Sequence, residues 1–241
     1  MKQPMSSLRK TSLFAGIFYL LTFVSIPAPF ALYAAVRAPN YILGTGPDTL
    51  VFVGAVLEVI VALAGIGTAI ALYPVVKRQG ESRALGFVAS RTLEAAIIFA
   101  GVTTLLSVVS LRQAGAGAGA LFTSQVLTAQ YSWLFLVSQS FIPALNAVLL
   151  GSLLYQSRLV PRALPVLGFV GATLLTAAWF AILFGFIGAT SAPAAIAGLT
   201  IAAWEFSLGV YLVVKGFKPS EITASMEDSG LAEVRSLKNV A

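Results

Sequence analysis

From Thr11 to Lys215 the chain is a succession of six apolar runs, about 11–36, 50–76, 84–111, 131–155, 163–189 and 193–215, divided by short polar breaks. Each run exceeds the ~20 residues that carry a helix across a ~30 Å hydrocarbon core. Lipid offers no water to satisfy backbone N–H and C=O groups, so runs of this kind fold as helices that satisfy their own. The expected fold class is therefore all-α, a polytopic membrane helical bundle with six transmembrane helices. With 58% hydrophobic residues, 10% charged residues and a mean hydropathy of +0.92, the composition lies outside the range of soluble domains.

The basic residues set the orientation. Of the 15 Lys and Arg, all but Arg37, Arg112 and Arg91 fall at the two termini or in the breaks after the second and fourth runs. Positive charge is retained on the cytoplasmic side, so both termini are expected to be cytoplasmic: residues 1–10 before the bundle, and a tail over 216–241 that is mixed in charge and expected to be partly disordered. The same pattern reads the charge excess of +6 as topology and excludes nucleic acid as a partner. The first run resembles a signal peptide but is longer than the ~7–15 residues of a secretory core, so it is expected to stay as an uncleaved span. Pro27 and Pro29 should kink or end it.

Smaller features mark the connections. The Ala114–Ala120 run alternates Ala and Gly and reads as a flexible linker, followed by a short interfacial helix over 121–131. Pro143 cannot donate to the Gln139 carbonyl, which predicts a kink and a free acceptor there. Gly54, Ala62, Gly65 and Ala69 recur at helical spacing beside Glu58, and Gly198, Ala202 and Gly209 lie beside Glu205; such stripes let a second backbone come close.

Two ionisable side chains, Arg91 and Glu94, stand inside the third run, and charges at that depth are expensive enough to be paired or used. Depth follows from counting residues from each helix's basic anchor at ~1.5 Å per residue. Glu94, Glu205, Asn146, Thr173 and Thr22 all fall ~15–18 Å in, near mid-membrane, with Arg91 one turn nearer the cytoplasm. Glu58 and Gln139 share a second, outer level. The candidate ligand-binding residues are thus Arg91, Glu94, Asn146, Glu205, Glu58 and Gln139. Three carboxylates, Glu58, Glu94 and Glu205, face one fixed cation, Arg91. Those left over are expected to be protonated, or balanced by a bound cation or an amine ligand. The competing account makes Arg91 and Glu94 an intrahelical ion pair and Glu205 and Asn146 interhelical glue. Thr22 and Thr173 are expected to bond their own helix backbones.

Cysteine and histidine are absent, which excludes disulfides, thiolate nucleophiles, Cys or His zinc sites, His-ligated haem and any Ser-His-Asp triad. No metal site or cofactor is expected. The absence of Asp from every run argues against a Mg-diphosphate site.

Several stretches, Arg91-Thr92-Leu93-Glu94-Ala95-Ala96, the segment 154–164 (LYQSRLVPRAL), Trp204-Glu205-Phe206-Ser207-Leu208-Gly209 with Val214-Lys215-Gly216-Phe217-Lys218-Pro219, and the opening 15–23 (AGIFYLLTF), resemble the bacterial "domain of unknown function 4386" family. The resemblance covers about 10–219 and implies a multi-pass protein of the bacterial plasma or inner membrane with about six helices. It carries no activity to these residues. Three functions stay open: binding or transport of a small or lipidic ligand at the polar layer, an accessory or sensory membrane subunit docking through the small-residue stripes, and a membrane-embedded lipid-modifying enzyme, which the sequence leans against. Expected partners are membrane lipids, a small-molecule or lipid ligand and a second copy of the chain.

Overall fold

The computed structural model describes residues 5–25 and 31–226. Pro27 and Pro29, with the kink expected of them, and the tail beyond 226 lie outside the described residues. Within them the backbone is helical and contains no strand. The main helices are α1 (Ser7–Ser25), α2 (Thr49–Val76), α3 (Glu81–Gln113), α4 (Leu121–Leu136), α5 (Ile142–Ser157), α6 (Ala163–Leu183) and α7 (Ala192–Val214). Five stretches are long and apolar enough to cross a membrane: α2, α3, the unbroken helix from Gly117 to Ser157, α6 and α7. The protein is a multi-pass helical bundle. α1 has 19 residues and carries Arg9 and Lys10 in its first turn; it is not one of those five.

Local chemistry accounts for the boundaries. Pro193 sits in the first turn of α7, where a missing N–H is harmless. Two residues past the end of α7 stands Gly216, whose φ of 75° is a left-handed backbone that glycine adopts without strain. Arg9 of α1 caps the same end by donating to the carbonyls of Leu212 at 2.9 Å and of Val213. The Ala-Gly run is more ordered than its composition suggests, since Gly117–Ala120 forms a 3-10 turn leading directly into α4. Residues 121–131, expected as a short interfacial helix, run on without interruption to Leu136 in α4, which joins α5 through a π-turn at Val137–Phe141. That turn is where Pro143 makes its effect felt. Helix geometry widens so that Ile142 N–H reaches the Val137 carbonyl, a common adjustment where an i→i−4 bond is lost.

The helices pack as a closed ring, α1 on α2, α2 on α3, α3 on α4 and α5, α5 on α6, α6 on α7 and α7 back on α1. Small and polar residues face inward: Gly54, Glu58, Ala62, Gly65 and Ala69 of α2 are buried, whereas Val56, Leu63 and Ile70 of the same helix are exposed. Lipid is as apolar as leucine, so close backbone approach and van der Waals contact hold such a ring rather than the hydrophobic effect. At the end marked by Lys77, Arg158 and Lys215, its middle is filled by Leu72, Phe87, Leu150, Leu153, Leu208 and Leu212, all fully buried. Tyr73 and Tyr155 there lie under Lys77 and Arg162, at 5.4 and 4.7 Å from ring centre to cation, as an interfacial aromatic belt would. The opposite end is tied by Asp48, which accepts from Tyr41, Arg112 and Gln113. Toward that end the ring is not filled.

Candidate functional site

Arg91 is only 4% exposed and lies near the ring's axis. Its Nη1 donates to Glu94 Oε2 at 3.0 Å, one turn along α3, and its Nη2 to Glu205 Oε1 on α7 at 2.5 Å. α3 and α7 are not neighbours in the ring, so the second bond crosses the bundle. Asn146 of α5 donates through Nδ2 to Glu94 Oε2 at 2.7 Å. The guanidinium faces the rings of Tyr19 on α1 and Phe87 on α3, at 5.5 and 5.7 Å, a cation–π setting for a desolvated charge. Gly65 of α2 lies beside it: a Cβ there would be 3.8 Å from Arg91 Cδ, an ordinary van der Waals contact.

The four candidates Arg91, Glu94, Asn146 and Glu205 therefore meet in one cluster. Arg91 bridges two carboxylates rather than one, which an i,i+3 reading of α3 alone does not reveal. Thr22 bonds the Tyr19 carbonyl at 2.7 Å and Thr173 the Phe169 carbonyl at 2.9 Å, each on its own helix as expected of threonine. Thr173 is exposed and takes no part in the cluster.

Glu58 and Gln139 are not brought together. Glu58 is 3% exposed and accepts from Tyr33 Oη at 3.1 Å and Tyr131 Oη at 3.0 Å, the two rings meeting edge to face at 5.6 Å. Among the described residues Glu58 forms no ion pair. Tyr33, Tyr131 and Tyr19 are the partners that reading the sequence missed. Their only signal was a phenol inside or beside an apolar run. Removing one donor from a buried carboxylate is expected to cost about 1–3 kcal/mol. Tyr131→Phe should therefore lower the thermal unfolding midpoint in nanodiscs, and an unchanged midpoint would show the contact to be dispensable.

Above the cluster the unfilled half of the ring encloses a cavity of about 570 Å³. Arg91, Glu94 and Glu205 line it at one end; Phe135, Leu175, Trp179 and Ile201 make apolar walls; Arg37, which is exposed, stands at its rim. Gln139, from the π-turn, also lines it, and Tyr131 separates it from Glu58. Small residues on α7 give it width, because a Cβ on Gly198 would meet nothing within 4 Å. Several polar atoms have no partner: Arg91 Nε, Asn146 Oδ1 and Trp179 Nε1 are unbonded. A smaller hollow of about 250 Å³ lies at the basic end beside Arg9, Lys215 and Thr223. Arg9 and Thr223 are already engaged there by Leu212, Val213 and Ser220. Among the described residues no group of three His, Cys, Asp or Glu could hold a metal.

The sequence model of the family described as "Domain of unknown function (DUF4386)" matches residues 14–216. No curated protein and no solved structure matches the chain. The matched span takes in all of the cluster and the cavity.

Proposed function

Because the chain belongs to the DUF4386 family across residues 14–216, a membership that supplies a fold class but no reaction, we propose from the geometry that it binds a small or lipidic ligand within the membrane. The observation that carries this reading is the cavity of about 570 Å³ with the buried Arg91, Glu94 and Glu205 in its wall. A space of this size, mostly apolar and with a few convergent polar groups, has the make-up of a small-molecule site. Ionisable residues at membrane depth that face a bundle interior mark ligand or ion pathways. On this reading α1 is the sixth span, since it closes the ring between α2 and α7, and the basic end faces the cytoplasm.

The accessory-subunit reading loses its expected interface. Parts of both small-residue stripes are used within the chain, Gly54 against Tyr33 and Gly209 against Tyr19 and Leu20, while Gly198 and Ala202 line the cavity.

Native mass spectrometry on the gently purified protein tests the reading. Wild type is expected to carry a defined small-molecule adduct that Gly198→Leu, which fills the cavity without touching the ion cluster, does not carry. Spectra of the two that are equally bare would overturn it.

A further inference from the structure

Resting on that cavity, we infer that the ligand is an organic cation, an ammonium group on an apolar body, and that it takes the place of a proton in the Arg91–Glu94–Glu205 cluster. Only one oxygen of each carboxylate is used by the protein: Glu94 Oε2 accepts from Arg91 and Asn146, and Glu205 Oε1 accepts from Arg91. The other two, Glu94 Oε1 and Glu205 Oε2, accept no bond from any described residue and are not among the atoms sealed from the surface. Both residues are more than nine-tenths buried and both line the cavity. Two free acceptor oxygens in a desolvated wall call for a donor with several N–H bonds.

Charge points the same way. The ionisable groups facing the cluster are Tyr19 from α1, Arg91 and Glu94 from α3 and Glu205 from α7. Among the described residues α2 contributes Gly65 and α5 the neutral Asn146, while from α6 the indole of Trp179 lines the cavity. With both carboxylates ionised the cluster is one positive charge short, and Arg37, the other cation lining the cavity, is at its exposed rim. A buried unbalanced charge is expensive, so in the empty site a proton makes up the deficit. An ammonium ion entering the cavity supplies that charge instead, and the displaced proton leaves to solvent. One cation in for one proton out leaves the cluster's charge unchanged.

The test uses the whole protein in nanodiscs with three probes of similar shape: phenylbutylamine, phenylbutanol and phenylbutyrate. Wild type should bind the amine roughly 10- to 100-fold more tightly than the alcohol, the ratio a charge-assisted hydrogen bond gives over a neutral contact, and the carboxylate least well. Glu205→Gln keeps an amide oxygen for Arg91 and should abolish the preference for the amine. Glu94→Gln is the second variant, and it too retains an acceptor for Arg91 and Asn146. If amine and alcohol bind wild type equally and both are lost in Gly198→Leu, the cavity reading stands and the cation inference is overturned. If no probe binds wild type, the cavity reading fails and takes this inference with it.

Discussion

Replacing Arg91 with methionine is expected to destabilise the bundle by about 3–5 kcal/mol, the cost of stripping one partner from a buried ionic cluster. Glu94 and Glu205 would be left without Arg91 between them, with Asn146 the one remaining side-chain donor to either among the described residues. The cross-ring tie between α3 and α7 would go at the same time. Neutralising the whole cluster at once, with Arg91→Met, Glu94→Gln and Glu205→Gln together, should restore most of the loss, since desolvation is then no longer demanded of any charge. Thermal unfolding in nanodiscs, followed by helical circular dichroism, separates the two variants. If the single variant were as stable as the triple one, the cluster would hold nothing together.

Gly16→Val should have the second largest effect, about 1–3 kcal/mol or more, from overpacking. A Cβ at position 16 would lie 2.7 Å from the Gly209 carbonyl oxygen and 2.9 Å from the Val213 nitrogen, both backbone atoms of α7. Backbone cannot rotate aside as a side chain can, so α1 would have to move off α7 and the ring would open at that seam. Gly198 of α7 is the control: a Cβ there meets nothing within 4 Å, and Gly198→Ala should leave stability unchanged or slightly raised through better helix propensity. The pair is compared by detergent-induced unfolding monitored at the tryptophans. Equal midpoints for the two variants would mean that α1 is not held by close approach.

The polar cluster was legible in depth but not in direction. Counting residues from Arg83, Arg158 and Lys215 put Glu94, Asn146 and Glu205 at one level because the rise per residue of a helix is fixed. The same count put Thr173 there, and Thr173 faces outward and bonds its own helix. Glu58 and Gln139 share a level too, yet one is held by two tyrosines and the other lines the cavity. Pro143 announced a disturbance near Gln139, and only the backbone showed that a π-turn absorbs it.

By itself the sequence determined that the chain is an all-helical, multi-pass membrane bundle and that ionisable side chains stand inside its apolar runs. Those follow from backbone desolvation and helical rise, which act within one segment. Tertiary structure alone decided that Arg91 reaches Glu205 across the ring, that Tyr33 and Tyr131 serve Glu58, and that one half of the ring is filled while the other encloses a cavity. In water an amphipathic stripe reveals which face of a helix turns inward; here lipid and interior are equally apolar, so helix rotation and neighbour order are set by side-chain fit between segments far apart in the chain.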